Sequence, residues 1–244
     1  MLTLILLAIP LFAAVLSMAA GAKNARNLAL GAGILELIVT LSAFFLNGKE
    51  GSETWLTFNR EWIGPLGISY AFSLDGISLV MALLVALLLP IIIYASFNRT
   101  FKSPHYFYGL MLLMAASMMG AFTTTDGLLF YVFYEFALIP IYFMILYWSD
   151  HPNKAKITLK FFIYTLFGSL FMLVSLLYLY NISGSFNMQA LYEAGRSLSG
   201  SEQGWVFAGF FIAFAVKIPV FPFHSWQPAT YDSAPTAGTM LLAG

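Results

Sequence analysis

The sequence predicts an all-α fold: a polytopic bundle of about seven transmembrane helices, with a proline-broken seventh helix and the start of an eighth. Hydrophobic residues make up 60% of the chain and charged residues 9%, whereas soluble domains carry roughly 45–50% apolar and about 25% charged residues. Apolar runs of about 20 residues, the length that crosses a bilayer, recur along the chain. Most charges lie between these runs, so the helix surfaces must face lipid.

The first apolar run is predicted to be a retained helix rather than a signal peptide, because no basic residue precedes it and further spans follow. The last run stops within an apolar stretch that has no cap or flanking charge. The sequence therefore predicts a fragment, or an incomplete gene product, of a longer membrane protein. The predicted helices are 2–20, 28–46, 74–97, 106–122, 128–148, 159–180 and 205–223, and 234–244 opens the eighth.

Lysine and arginine residues are divided unequally between the two sets of loops. The loops after the first, third and fifth helices hold seven of them, and the loops after the second, fourth and sixth hold three. The positive-inside rule therefore predicts an N-terminus outside the cell and the richer set in the cytoplasm, where Lys154, Lys156 and Lys160 act as anchors. The richer set is Lys23, Arg26, Arg99, Lys102, Lys154, Lys156 and Lys160, and the poorer set is Lys49, Arg60 and Arg196.

Two polar connections have predicted structure of their own. Residues 47–73 contain two short β-type runs around Gly64-Pro-Leu-Gly67, a pattern that predicts a hairpin lying flat on the outer surface. Residues 183–203 are expected to hold one short interfacial helix with Asn187 as its N-cap.

Composition also excludes several kinds of site. The chain has no cysteine, which excludes disulfides, iron–sulfur clusters and thiol catalysis. The histidines, His105, His151 and His224, do not lie deep inside the apolar runs, so we expect no bis-histidine haem in the bilayer. A net charge of zero gives no support for a nucleic-acid partner. The sequence predicts no cofactor and no metal in this chain.

Glu135 and Lys217 are the strongest candidates for chemistry, because charges inside hydrocarbon are costly and usually functional. Glu135 is read either as a proton-relay or ion-pair member, or as a protonated carboxyl bonded to a neighbouring helix. Pro219 and Pro222 follow Lys217 and free backbone carbonyls, so the broken helix must be buried in protein or line a wet cavity. A lysine there can exchange a proton near neutral pH, since desolvation disfavours its charged form. The alternative is a lysine that snorkels to the nearer surface.

Three further residues are weaker candidates. His224 follows Lys217 by seven residues, which on a continuous helix is one face, and histidine can relay protons; it can also be an interfacial residue bonded to backbone. Glu36 either pairs with a buried partner or closes a helix contact. Asp75 begins the third helix, where an N-cap role explains it.

Several segments resemble the antiporter-like, proton-translocating subunits of bacterial NADH:quinone oxidoreductase (respiratory complex I), and among them the subunit M branch. Residues 133–143, FYEFALIPIYF, resemble the fifth-helix motif of that family. Residues 215–226, AVKIPVFPFHSW, resemble its broken seventh helix. The likeness covers nearly the whole chain. Further matching segments are 73–79, 160–165, Gly168-Ser, Pro228 and 234–238.

This resemblance implies roles for individual residues. Glu135 matches the glutamate whose charge tunes a lysine, Lys217 matches that lysine, and His224 matches a relay position toward the membrane centre. It also implies a three-helix region with an outer hairpin over 1–104, then a truncated first antiporter-like repeat over 105–244, with the second repeat absent. The chain departs from the family at Ala229, where an Asp is common, and at Gln227, where a Leu is common.

Three functions follow from these patterns. The first is redox-driven proton translocation as a subunit of the NADH:quinone oxidoreductase in the bacterial inner membrane, with no redox site in this chain. Its partners would be other membrane-arm subunits, the bilayer, protons and internal water. The second is a subunit of a multi-subunit sodium/proton antiporter, and the third is a membrane scaffold without transport.

Overall fold

The computed structural model describes residues 2–46 and 55–243, which form a bundle of α-helices with one two-stranded hairpin. Six helical segments in this part of the chain are long and apolar enough to cross a membrane, which confirms the predicted all-α, polytopic class. The elements in chain order are α1 (Leu2–Ala19), α2 (Ala25–Leu46), β1 (Trp55–Ile63), β2 (Ile68–Leu74), α3 (Gly76–Ala95), α4 (Pro104–Thr123), α5 (Gly127–Phe136), α6 (Leu138–Trp148), α7 (Lys154–Ser183), α8 (Met188–Ser197), α9 (Gly200–Lys217), α10 (Gln227–Ser233) and α11 (Thr236–Ala243).

The seventh predicted helix is displaced toward the N-terminus relative to its apolar run. α9 begins before residue 205 because Ser199 and Glu202 form a capping box, in which the Ser199 N–H donates to the Glu202 carboxylate at 2.9 Å. The helix then ends at Lys217 instead of continuing to 223. Hydropathy therefore located this helix, while its polar cap and the following prolines determine where it begins and ends.

The fifth predicted helix is divided into α5 and α6. Pro140 has no N–H to donate to the carbonyl four residues earlier, at Phe136, where α5 ends. Ala137 forms the turn between the two helices. Glu135 therefore lies in the last turn of α5, beside a local break that the sequence analysis did not predict.

The predicted hairpin is confirmed. β1 and β2 pair antiparallel around a 3₁₀ turn, Gly64–Leu66, and Gly67 closes the turn in the left-handed region at φ 61°. The prediction that the hairpin lies flat on the surface is wrong for β2, because Ala71, Phe72 and Leu74 are buried against the helix ends. Residues 47–54 of the predicted connection lie outside the described residues.

A network of backbone and carboxylate contacts ties the hairpin to the N-terminus of α5. The Thr125 N–H donates to the Ala71 carbonyl at 2.9 Å, and the Thr124 hydroxyl donates to the same oxygen at 3.0 Å. Asp126 accepts from the Ser69 N–H of β2 at 3.0 Å, and its other oxygen caps the first turn of α5. This network, which we call the outer joint, fixes the end of the helix that carries Glu135.

Both predicted helix caps are confirmed. The Asp75 carboxylate accepts from the Ser78 N–H at 2.7 Å at the start of α3. The Asn187 side chain accepts from the Gln189 and Ala190 N–H groups at the start of α8. Short-range polar patterns were therefore dependable guides to where these helices begin.

Candidate functional site

Close packing between α7 and α9 defines one wall of the candidate site. A Cβ atom added at Gly168 would lie 2.9 Å from the Val216 Cβ, which is closer than two non-bonded carbon atoms approach each other. A Cβ at Gly209 would likewise meet the backbone and side chain of α7 around Ser175. Small residues at helix contacts allow such approach in membranes. This close contact holds α7, which carries Ser169, against α9, which carries Lys217.

Lys217 is the last residue of α9, and its ammonium lies over an aromatic ring of α5. Its Nζ is 4.6 Å from the centroid of the Tyr134 ring. The Tyr134 hydroxyl donates to the Ala213 carbonyl of α9 at 3.3 Å, which holds the ring against this helix. A cation over a desolvated ring is stabilised by about 2 kcal/mol. The ring therefore compensates for part of the hydration energy that a lysine loses inside the membrane.

Glu135 follows Tyr134 directly and faces the same space. Among the described residues, Glu135 Oε1 is buried without a hydrogen-bond partner, so the carboxylate does not clamp the Lys217 ammonium through that oxygen. Ser169 of α7 faces Glu135, while its hydroxyl donates to the Leu166 carbonyl at 2.8 Å. The described contacts therefore include no hydrogen bond between Glu135 Oε1 and Lys217.

The helix break after Lys217 leaves carbonyls of α9 that need new donors. Pro219 lacks the N–H that would bond the Ala215 carbonyl, and the Val220 N–H takes its place at 2.8 Å. The Val216 carbonyl then loses its usual donor and accepts instead from the Trp226 indole N–H at 2.8 Å. The expectation that proline frees carbonyls here, which must find partners inside protein, is met by these contacts.

We expect Trp226→Phe to lower the free energy of unfolding by about 2 kcal/mol, because the Val216 carbonyl would be left buried without a donor. Trp226 is 2% exposed, whereas Trp205 at the other end of α9 is 77% exposed. Denaturant titration in detergent micelles measures the difference, with Trp205→Phe as the matched control. Equal stability of the two variants would show that the indole N–H is not needed at the break.

His224 does not share a helix face with Lys217, contrary to the spacing expectation, because α9 ends at Lys217 and His224 lies in a separate 3₁₀ turn, Phe223–Trp226. Its ring is exposed and stacks on Phe221, with the centroids 5.5 Å apart. The side chain is therefore placed on the surface of this chain, away from the Tyr134 ring that Lys217 covers.

The remaining sequence candidates separate into surface and buried groups. Lys156 is exposed, as an anchor requires, and Lys154 donates to the Ser149 carbonyl at 2.9 Å. Lys160 instead reaches the broken segment and donates to the Ser225 carbonyl at 2.7 Å. Glu36 is fully buried, and neither carboxylate oxygen has a hydrogen-bond partner among the described residues. The buried partner that was one of the two expectations for Glu36 is therefore not present among the described residues.

Sequence reasoning missed Tyr134 and Trp226 as site residues. Aromatic residues make up 17% of the chain, so one more tyrosine or tryptophan carries no signal of its own. Tyr134 precedes Glu135, yet its contact with α9 joins residues 79 positions apart. Within residues 2–46 and 55–243, no group of three or more histidine and acidic residues is placed to hold a metal ion.

Comparison with known proteins places these residues in a wider group. Residues 124–244 match the family model described as NADH:quinone oxidoreductase/Mrp antiporter, TM. The chain is 38% identical over 183 residues to NADH-quinone oxidoreductase subunit M of Rickettsia conorii, covering 75% of this chain and 37% of that protein. It is 34% identical over 254 residues to F(420)H(2) dehydrogenase subunit M of Methanosarcina mazei, covering 98% of this chain and 50% of that protein.

A solved structure extends the likeness to the whole chain. A chain of respiratory complex I from Thermus thermophilus, with bound NADH, superposes with a TM-score of 0.84 at 29% identity. The match covers 100% of this chain and 50% of that one. The chain thus spans half or less of the length of these relatives. The matched family region contains Tyr134, Glu135, Lys217 and Trp226.

Proposed function

We propose, from the premise that this chain belongs to the NADH:quinone oxidoreductase/Mrp antiporter transmembrane family, that it is part of a membrane-arm subunit that translocates protons while electrons move in other subunits. The observation that carries the proposal is the placement of Lys217 over Tyr134, beside Glu135, at a helix break inside the bundle. An amine and an acid that share such a space can exchange charge states.

The proposed mechanism is electrostatic. Glu135 and the Tyr134 ring together stabilise the charged form of Lys217. A neighbouring subunit that displaces the Glu135 carboxylate removes one of these two stabilising contributions. The ammonium then releases its proton, and the return of the carboxylate restores its affinity. Glu135 Oε1 has no hydrogen-bond partner among the described residues, so a displacement of the carboxylate breaks no hydrogen bond at that oxygen.

The helix break provides the direction of release in this proposal. The segment after Lys217 is irregular, which membrane proteins tolerate where backbone is buried in protein or lines a hydrated space. His224 follows in the next turn and is the proposed acceptor toward the membrane centre.

The proposed orientation has the N-terminus and the outer joint outside the cell. The Thr3 hydroxyl of α1 donates to the Leu56 carbonyl of the hairpin at 2.9 Å, so the described N-terminus lies at the hairpin end. The loops of the basic set meet at the opposite end, where the Trp148 indole N–H donates to the Lys102 carbonyl at 2.6 Å. This segregation supports the positive-inside assignment, with Lys102 in the cytoplasm.

The test is proton movement by the assembled complex containing this chain, in sealed vesicles that enclose a pH-sensitive dye. We expect NADH oxidation to move protons in sodium-free buffer, and a sodium gradient without NADH to move none. Proton movement driven by the sodium gradient alone would identify a sodium/proton antiporter instead. Unchanged pumping by the Glu135→Gln, Lys217→Met double variant would identify a scaffold.

A further inference from the structure

Glu36 lies in the centre of the packed face of α2, outside the residues that match the family model. It is the twelfth residue of the helix, which places it about 16 Å from the first turn and near the middle of a bilayer about 30 Å thick. Its side chain is 0% exposed. The buried positions recur every three or four residues along one face: Ala25, Ala29, Gly33, Glu36, Thr40 and Ala43.

Among the described residues, no cation faces Glu36 from the helices that pack most extensively on α2, which are α1, α3 and α4. α1 carries no titratable side chain, and that of α3 is Tyr94, in its last turn. α4 carries His105, Tyr106 and Tyr108, all in its first two turns at the loop end. On α2 itself, Arg26 lies in the first turn, over the Phe97 ring. An ionised Glu36 would therefore be an unpaired charge in an apolar interior.

The neighbouring helix α3 contains a backbone carbonyl that lacks its usual helical donor. Pro90, inside α3, has no N–H for the carbonyl of Ala86, which is itself buried. A Cβ at Gly33 would lie 3.3 Å from the Pro90 nitrogen, so α2 and α3 are in close contact there. α2 leads into the hairpin and α3 leads out of it, so the two helices run in opposite directions. Glu36 follows Gly33 in α2 and Ala86 precedes Pro90 in α3, so both lie on the hairpin side of the contact between Gly33 and Pro90.

We propose that Glu36 is a second proton-binding site of this chain, where a neutral carboxylic acid is held inside the bundle of α1 to α4. The carbonyl that Pro90 leaves without its helical donor is the proposed acceptor for the acid O–H, and no counter-ion is required. A neutral acid also accounts for the two oxygens that find no donor among the described residues. The site is separate from the Glu135 and Lys217 pair, and the inference stands whether or not that pair pumps protons.

Infrared difference spectroscopy tests the charge state directly. We expect the spectrum of the wild-type chain in lipid nanodiscs, minus that of Glu36→Gln, to show the C=O band of a protonated carboxyl at neutral pH. The band should shift in samples prepared in D₂O, and Glu36→Asp should move it without removing it. Asp75 is the control: hydrogen bonds from Ser78 lower its pKa, so Asp75→Asn should remove carboxylate bands. Carboxylate bands in the Glu36 difference spectrum, or no acid band, would overturn the proposal.

Thermal unfolding supplies a second readout that also applies if one variant is hard to produce. Glutamine has the shape of a neutral glutamic acid, so Glu36→Gln should unfold at the same temperature as the wild type below about pH 4, where the carboxyl of the unfolded chain is also protonated. As pH is raised from there through neutrality, the wild type should lose stability relative to Glu36→Gln, because its unfolded chain ionises the carboxyl while the fold holds it neutral. A wild type that gains stability relative to Glu36→Gln with rising pH would show that Glu36 is ionised in the fold.

Discussion

Lys217→Met is expected to reduce proton translocation by at least about a hundredfold, the scale of losing a positioned proton-transfer group. Methionine retains the length and apolar stem of lysine and removes only the group that carries the proton. The ammonium lies over the Tyr134 ring, and Lys217 is the last residue of α9. The substitution therefore leaves the apolar contacts of that turn in place. Proton uptake by vesicles that contain the assembled complex, recorded per NADH oxidised, is the measurement.

The matched control for this variant is Lys156→Met, which changes an exposed lysine at the loop end of α7. It should leave translocation unchanged, because that ammonium has no buried partner to respond to. Near-normal pumping by a correctly assembled Lys217→Met complex would show that the proton takes a route that avoids α9.

Glu135→Gln is expected to lower translocation by about tenfold to a hundredfold, a change in barrier of about 1.4–2.7 kcal/mol. Glutamine keeps the shape of the side chain in the last turn of α5 and removes its charge. Lys217 would then rely on the Tyr134 ring alone, and no movement of a carboxylate could alter its affinity for a proton. We expect Glu135→Asp to recover part of the loss, since it retains the charge at a shorter reach.

Two controls distinguish this charge effect from damage to the fold. Glu193→Gln changes an exposed acid on α8 and should have no effect. The double variant Glu135→Gln, Lys217→Met should be no worse than Lys217→Met, because the acid acts through the lysine. Additive losses would contradict this coupling and indicate two independent functions.

The outer joint links the site to the hairpin. Asp126 bonds β2 through the Ser69 N–H and caps α5, whose last turn holds Glu135. The hairpin, the start of α5 and the start of α8 are further joined by the hydrogen bonds from Gly127 to Phe186 and from Met188 to Thr125. A partner that moves the hairpin would therefore act on the helix that positions the acid.

Composition and hydropathy alone were sufficient to assign the lipid environment and the fold class, and to identify the isolated charges. Hydropathy identified the spans, and polar signals within one turn located the caps at Asp75 and Asn187, because such signals act between residues close in the chain. The two prolines after Lys217 identified the broken helix, since a missing N–H has a local consequence. The capping box at Ser199 lies before the apolar run, so hydropathy alone does not locate the start of α9.

The contacts between side chains of distant segments could be identified from the three-dimensional structure alone. A helix that is apolar all round carries no stripe to show which face is lipid and which is protein, so its rotation is set by contacts with distant segments. The Tyr134 ring beneath Lys217, the Trp226 indole on the Val216 carbonyl and the burial of Glu36 all depend on that rotation. The separation of His224 from the face of Lys217 depends on the path of the chain after the break, which helical spacing cannot supply.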